Sequence, residues 1–394
     1  MKSSHKEIYD RISKLQTSLQ QNSIDAVIIL QKIDMFYFSG TLQQGVLFIP
    51  LEGEPLLFVK KDTDRAIKES PLKYIYTFKS FNDIPHILHQ HSYNPEKIGL
   101  ELDIVPYNLY KRYTETFSKS QFFDFSTQIR RIRMIKSEFE IEKIKMSGEL
   151  IEKTYKEFKK CIRLGMKEID AACELEYIAR KNGHMGLVRM RAFNQEMFYG
   201  HLLSGKSGLL TSYVDSPTAG EGQGAYFSQG AGNKVLKENE PFSVDFVFNY
   251  KGYLVDMTRI FFLGEPPKEY QQVYNVAKKI HQDIVAKARP GITCDTIYSE
   301  VLKIVAKHRL EEIFMGPKGK TVSYIGHGVG LELDELPVLA KGVKETIEEN
   351  TVFALEPKFF IPEMGIAGIE NTYLMTQNGL LLLTKYSDDI QIIV

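Results

Sequence analysis

The sequence predicts an α/β (α+β) chain of two domains, the first over residues 1–132 and the second over residues 137–394. Three observations lead to this. The 394 residues suffice for two separate cores. Short apolar runs bounded by Gly and Pro alternate with segments of helical periodicity. Between the two parts lies RRIRMIK, residues 130–136, a charged connector running into Ser137-Glu138-Phe139-Glu140. That S-x-x-E pattern is a capping box, in which a hydroxyl and a carboxylate satisfy early helix amides, so a helix starts there.

In the first part, residues 1–22 read as an opening helix, with Ile8, Ile12, Leu15 and Leu19 at helical intervals. Residues 26–30, 45–49, 55–59 and 97–102 read as strands, the second and third joined by a turn at Pro50-Leu51-Glu52-Gly53-Glu54. The aromatic runs at 78–81 and 122–125 fit strand and core positions better than a binding surface. In the second part, helices are expected to about Ile162, then to Asn182-Gly183, then over 267–288 and 293–310.

Composition narrows the partners. Lys plus Arg equals Asp plus Glu, 50 against 50, so no global field draws the chain to nucleic acid or an anionic membrane. No apolar run approaches a membrane span, and MKSSHKEIYDRISKLQ lacks the apolar stretch of a secretory signal. A soluble cytoplasmic protein is expected. The three cysteines form no CxxC, which fits a reducing compartment. Cys161 and Cys173 lie in helical, apolar surroundings and read as buried structural thiols.

Five side chains with metal-ligand chemistry punctuate the last 150 or so residues: Asp245, Asp256, His327, Glu356 and Glu370. Asp245 and Asp256 flank a hairpin turn at Asn249-Tyr250-Lys251-Gly252, which would bring both to one end of the ribbon. Alone, such a pair reads as two solvent-facing aspartates. Their neighbours Val244, Phe246, Val255 and Met257 are apolar, however, and a buried carboxylate must be paired or bound to metal. His327 lies in a GHG loop whose glycines would let the backbone approach an ion. Glu356 ends a strand before Pro357, and Glu370 follows a Gly-rich turn (Gly365, Gly368), so a second hairpin would set the glutamates side by side. The bland alternative for an apolar-flanked glutamate is a buried ion pair, with Arg259 as candidate partner. Together the five point to two divalent cations sharing ligands around a water.

The segments GYLVDMTR (252–259), GHGVGLE (326–332), LEP (355–357) and GIEN (368–371) resemble the pita-bread metallohydrolases, the group of aminopeptidase P, prolidase and creatinase-like proteins. IDAVIILQKIDMFYFSG (24–40) and RRIRMIKSEFEI (130–141) are similar to the creatinase-like N-terminal domain that precedes that fold. The resemblance implies a dinuclear metallopeptidase of the Xaa-Pro aminopeptidase or dipeptidase type. Its substrate would be a small peptide or amino-acid derivative, its ions manganese first, with cobalt, zinc or iron as alternatives. Asp245 would chelate one ion, Asp256 and Glu370 would bridge both, and His327 and Glu356 would complete the shell. A hydroxide between the metals would attack the amide carbonyl, and Glu356 would pass its proton to the leaving nitrogen. A homodimer is implied as well.

This chain departs from the group at four surrounding positions. Ser228, Ser323 and Asp334 stand where histidines are usual, and Gly368 where an arginine is usual. A substrate other than Xaa-Pro peptides, or other groups holding the oxyanion, would account for that. The Gly/Ser/aromatic-rich stretch 189–233 is the candidate pocket lining, with Arg191, Tyr199, His201, Tyr213 and Tyr226. Substrate contacts are expected from His201, Tyr199, Ser228, Asp334 and Arg191. For His201 the competing reading is a satisfied strand histidine. A creatinase-like amidinohydrolase fits poorly, because those proteins lose the carboxylates and keep the histidines. A non-catalytic binding protein on the same fold is the other alternative.

Overall fold

A computed structural model describes residues 5–393, so the first four residues of the expected opening helix lie outside the described residues. The chain divides into two compact units, the first ending at Arg133 and the second beginning at Met134.

The first unit is built from α1 (His5–Asn22), β1 (Ala26–Ile29), α2 (Lys32–Ser39), β2 (Gly45–Pro50), β3 (Leu56–Val59), α3 (Thr63–Glu69), β4 (Tyr74–Thr77), α4 (Asp83–Gln90), β5 (Lys97–Leu100), α5 (Tyr107–Thr116), β6 (Gln121–Asp124) and α6 (Ser126–Met134). Its strands form one sheet in the order β4-β3-β2-β1-β5-β6. The β1–β2 and β2–β3 pairs are antiparallel and the others parallel. Helix α1 buries Ile8, Ile12, Leu15 and Leu19, the stripe its periodicity requires. Phe78 and Phe125 are core residues, whereas Phe123 is exposed.

The charged connector is not a solvated linker. Most of it belongs to α6, and Arg133 is buried with Nη1 at 2.6 Å from Asp34 Oδ1. Lys136, just inside the second unit, is likewise buried, 2.7 Å from Glu335. Such buried charges are tolerated because they are paired.

The second unit comprises α7 (Glu138–Phe158), α8 (Glu168–Lys181), β7 (Gly200–Ser204), β8 (Pro241–Tyr250), β9 (Tyr253–Leu263), α9 (Lys268–Lys287), β10 (Ile292–Thr293), α10 (Cys294–Lys307), β11 (Tyr324–Gly328), β12 (Glu335–Ala340), β13 (Thr346–Ile347), β14 (Val352–Leu355), β15 (Lys358–Ile361), β16 (Gly365–Gly368), β17 (Asn371–Thr376), β18 (Gly379–Leu382) and β19 (Gln391–Ile393). Two sheets carry the site, β19-β9-β8-β7 and β12-β11-β14-β17-β18. A bridge between Thr258 and Glu370 ties one to the other. Beneath them α9 and α10 bury Tyr270, Ile280, Ile284, Ile297 and Val301 in one cluster with Phe353, Leu355 and Ile369. Burial on this scale, about 1.5–3 kcal/mol per large side chain, is what holds charged groups in place above.

Helix α7 begins with the expected capping box: Ser137 Oγ accepts from the Glu140 amide while the Glu140 carboxylate accepts from the Ser137 amide. It ends at Phe158, four residues short of Ile162. On α8 the buried positions are Glu168, Ala171, Ala172, Leu175, Ile178 and Ala179, which leaves Cys173 off the inward stripe. Cys173 is therefore exposed and Cys161 half-buried; of the three thiols Cys294 is the buried one.

Candidate metal centre

The aspartates sit on one uninterrupted hairpin. The β8–β9 ladder runs from Pro241↔Phe262 to Tyr250↔Tyr253, pairing Asp245 with Thr258 and Asp256 with Val247. Both carboxylates thus share a face in the middle of the ribbon, not at its end, because pairing continues past Asp245 to Pro241. The Tyr155 hydroxyl of α7 lies 3.1 Å from the Val244 carbonyl and 2.8 Å from that of Met257, pinning the hairpin beside both aspartates.

The glutamates come from a hairpin with a break. Leu355 pairs with Asn371 on one side of the break and Lys358 with Gly368 on the other. Between them Pro357 offers no amide, and Glu356 and Glu370 face each other where the ladder lapses.

His327 belongs to β11, paired with Ala354 of β14 and Val338 of β12. Its flanking glycines serve the strands and not an ion. A Cβ on Gly326 would lie 2.2 Å from the Ala354 carbonyl oxygen, and one on Gly328 would lie 2.0 Å from that of Leu336. The GHG segment is a strand so closely flanked that only Gly fits beside the histidine.

These elements bring the five predicted residues to the floor of one cavity of ≈ 180 Å³. His327 Nε2 lies 3.7 Å from Glu356 Oε1 and 3.9 Å from both Asp256 Oδ2 and Glu370 Oε1. These distances are too long for hydrogen bonds. An ion bonded at about 2.0–2.2 Å holds its donors roughly 3–4 Å apart, so the spacing suits a shared cation. Asp256, His327 and Glu370 each offer an atom within 4.8 Å of the others. Asp256 Oδ1 and Glu370 Oε1 are buried without a hydrogen-bond partner, which a buried carboxylate tolerates only if something else neutralises it. This donor set fits a divalent ion.

One residue at the centre was not anticipated. The Lys358 ammonium lies 2.8 Å from each of Asp245 Oδ2, Glu356 Oε2 and Glu370 Oε2. The buried ion pair considered for the glutamates therefore exists, but with Lys358. Arg259 instead binds the Tyr386 and Glu370 carbonyls and the Asn371 side chain. A signal was present in the sequence: a lysine two residues after Glu356, on the same strand face, in an otherwise apolar run (Phe359, Phe360).

Electrostatics follow the burial. Desolvation, then the charge of Asp245, pushes Asp256 well above the usual carboxylate range. Glu370 is raised by desolvation and then by Asp256. Burial acts upward on Asp245 too, but Lys358 and then His201 bring it below the ordinary value. Burial works against the Lys358 charge, yet Asp245, Glu356 and Glu370 hold it protonated well above the usual lysine range.

The expected substrate residues divide. The stretch 189–233 does supply one wall of the cavity, through Met190, Met197, His201, Val214 and Asp215 among others. His201, paired with Asp245 across β7–β8, is fully engaged: Nδ1 meets Thr218 Oγ1 and Nε2 meets Gln229 Oε1, each at 2.9 Å. Burial keeps its pKa low. Since Thr218 donates to Asp245 Oδ2 at 3.1 Å, His201 holds the Asp245 carboxylate in place from behind. Asp334 lines the cavity but its carboxylate accepts from the Arg191 and Ala192 amides. Tyr199 stacks on Phe246 and packs at a tilt against His184. Ser228 meets Ser212, and Tyr226 is fully exposed. Neither Tyr199, Ser228 nor the Arg191 side chain is among the groups lining the cavity. Tyr324 was overlooked; it lines the cavity beside His327 with its hydroxyl on the Asp215 carbonyl.

Residues 142–377 match Metallopeptidase family M24, and residues 11–135 match the Creatinase/Prolidase N-terminal domain. The chain is 27% identical over 377 residues to an Xaa-Pro dipeptidase of Pyrococcus furiosus, covering 95% of this chain and 98% of that one. Over 386 residues it is 26% identical to an uncharacterized peptidase of Staphylococcus epidermidis, with 95% and 99% covered. Among solved structures, a prolidase of Pyrococcus horikoshii superposes with a TM-score of 0.80 at 26% identity, covering 96% of this chain and 99% of that one. An Xaa-Pro dipeptidase from Bacillus anthracis shares the fold with a TM-score of 0.83 at 22% identity, covering 98% and 100%.

Proposed function

The chain belongs to metallopeptidase family M24, and on that footing we propose that it hydrolyses the amide bond of a small Xaa-Pro-type peptide or amino-acid derivative. The observation that carries the reading is the convergence of Asp256, His327 and Glu370 at the cavity floor, with two carboxylate oxygens left unpartnered. These three side chains would hold a divalent ion, and carboxylate-rich ligation favours manganese. Such an ion supplies Lewis acidity, polarising a carbonyl and lowering the pKa of a water molecule.

The rest of the chemistry belongs to the chain. Glu356 is the proton carrier: one oxygen is tied to Lys358, and the other faces His327 across 3.7 Å on the cavity floor. It would take a proton from water and release it to the leaving nitrogen. His201 and Thr218 orient Asp245, and Thr258 donates to Glu370 Oε2 at 2.9 Å, fixing that carboxylate. Met190, Met197, Val214 and Leu333 give the cavity apolar walls that exclude water from the reacting bond. The volume of ≈ 180 Å³ suits a short substrate.

The test is hydrolysis of Xaa-Pro dipeptides, Xaa-Pro tripeptides and N-acyl amino acids by purified protein with manganese, cobalt or zinc. Turnover abolished by chelation and restored by metal is the expected result. No cleavage of any substrate with any of the metals would defeat the reading, and the dipeptide-to-tripeptide ratio separates dipeptidase from aminopeptidase action.

A further inference from the structure

We propose that Lys358 is a built-in cation occupying the place of one divalent ion, so that the centre takes a single ion, on Asp256, His327 and Glu370. The proposal rests on the metal-dependent reading of this site but is measured by ion count instead of turnover.

The first argument is occupancy. An ammonium has three N–H donors. All three are spent, each at 2.8 Å, on oxygens of Asp245, Glu356 and Glu370. An ion ligated by those same oxygens at about 2.1 Å would overlap the ammonium nitrogen.

The second is partition. Each glutamate turns one oxygen to the lysine and the other towards His327. The oxygens on the lysine side are satisfied, with Asp245 Oδ2 also receiving Thr218 and Glu370 Oε2 also receiving Thr258. On the other side Glu370 Oε1, which faces His327, has no hydrogen-bond partner, and Asp256 sends Oδ2 towards His327 and leaves Oδ1 buried without one. The site is thus half filled from within and half open to a ligand.

Charge and space agree. With the ammonium in place among four carboxylates, one divalent ion leaves a single residual negative charge, whereas two would reverse the sign of a buried site, which is costly. Lys358 is 1% exposed, so its charge has no path to solvent. Room for its stem comes from Gly368, its cross-strand partner, where a Cβ would lie 2.7 Å from Lys358 Cγ and 2.8 Å from its Cα. Gly368 is also the position at which the resembling proteins usually carry an arginine. A side chain there would run into the lysine stem, so glycine at 368 and lysine at 358 fit one another.

The experiment strips the full-length protein with chelator, reloads it with manganese, and counts ions per chain by elemental analysis and calorimetry. Wild type should bind one ion with an uncoupled Mn(II) EPR spectrum, Lys358→Ala should bind two, and Asp256→Asn should bind none. Asp245→Asn should still bind one, because Asp245 serves the ammonium; this variant decides the matter if Lys358→Ala fails to fold. Two ions in wild type, loss of the ion in Asp245→Asn, or a single ion in folded Lys358→Ala overturns the proposal. Two ions with peptide hydrolysis overturns it alone. One ion without hydrolysis upholds it and defeats the functional reading instead. No ion in wild type overturns both.

Discussion

The aspartate hairpin and the glutamate hairpin each deliver two carboxylates, yet they do so by opposite means. In β8–β9 an unbroken ladder of ten pairs fixes Asp245 and Asp256 by strand parity alone. In the β14–β17 and β15–β16 pairs the ladder lapses at Glu356-Pro357 and Ile369-Glu370. The lapse directs Glu356, Lys358 and Glu370 into one space. Continuity gives rigid placement of like charges; interruption lets a hairpin supply its own countercharge. The Thr258–Glu370 bridge, with both amide–carbonyl distances 3.3 Å, then clamps the broken hairpin to the intact one.

The most damaging test of this contrast is Glu370→Gln, which touches both sides of the broken hairpin. It should abolish ion binding and lower kcat/KM by about a thousandfold or more, since a catalytic metal contributes several kcal/mol. Retention of the ion would separate Glu370 from the ligand set. Next is Glu356→Gln, expected to keep the ion, measured by calorimetry, while kcat falls roughly a hundredfold or more. An unchanged kcat would remove Glu356 from proton transfer.

A smaller effect concerns the histidine beneath the broken hairpin. His281 is buried, its Nδ1 on the Tyr373 hydroxyl and Nε2 on the Ile369 carbonyl. Desolvation lowers its pKa to about 4. An unfolded histidine titrates near ~6.5. The unfolded state therefore binds the extra proton first, so the contribution is intact above that value and is lost as pH falls towards about 4. Denaturant melts of wild type and His281→Gln across this window should converge as the pH falls; parallel curves would show that His281 is not the group involved.

The smallest effects come from two glycines. Gly368→Ala drives a Cβ into Lys358 and should cost about 1–3 kcal/mol. Gly252→Ala, at the aspartate hairpin's turn with φ +97°, meets only Leu331 at 3.3 Å and should cost about 1 kcal/mol. Equal losses in thermal melts would mean that the broken hairpin is no more tightly filled than the intact one.

Much of this was legible beforehand. The capping box at Ser137, the hairpin at Asn249–Gly252 and the helices α9 and α10 are local signals, and they appear where periodicity and turn chemistry put them. The gathering of the five side chains around one cavity was readable because buried carboxylates flanked by apolar residues must find a cation. Misreadings arose where a local cue had a non-local cause. The glycines around His327 answer to β12 and β14, and Cys173 lies off the inward stripe of α8.

What the sequence alone determined is therefore the strands, their faces, and the demand for positive charge among four carboxylates. Only the tertiary structure decided where that charge comes from. Desolvation makes a countercharge obligatory but is indifferent to its chemistry, and a strand pattern that sets Lys358 on the face of Glu356 cannot say which other carboxylates its ammonium reaches. That Nζ reaches Asp245, 113 positions earlier in the chain, depends on two sheets meeting through the Thr258–Glu370 bridge.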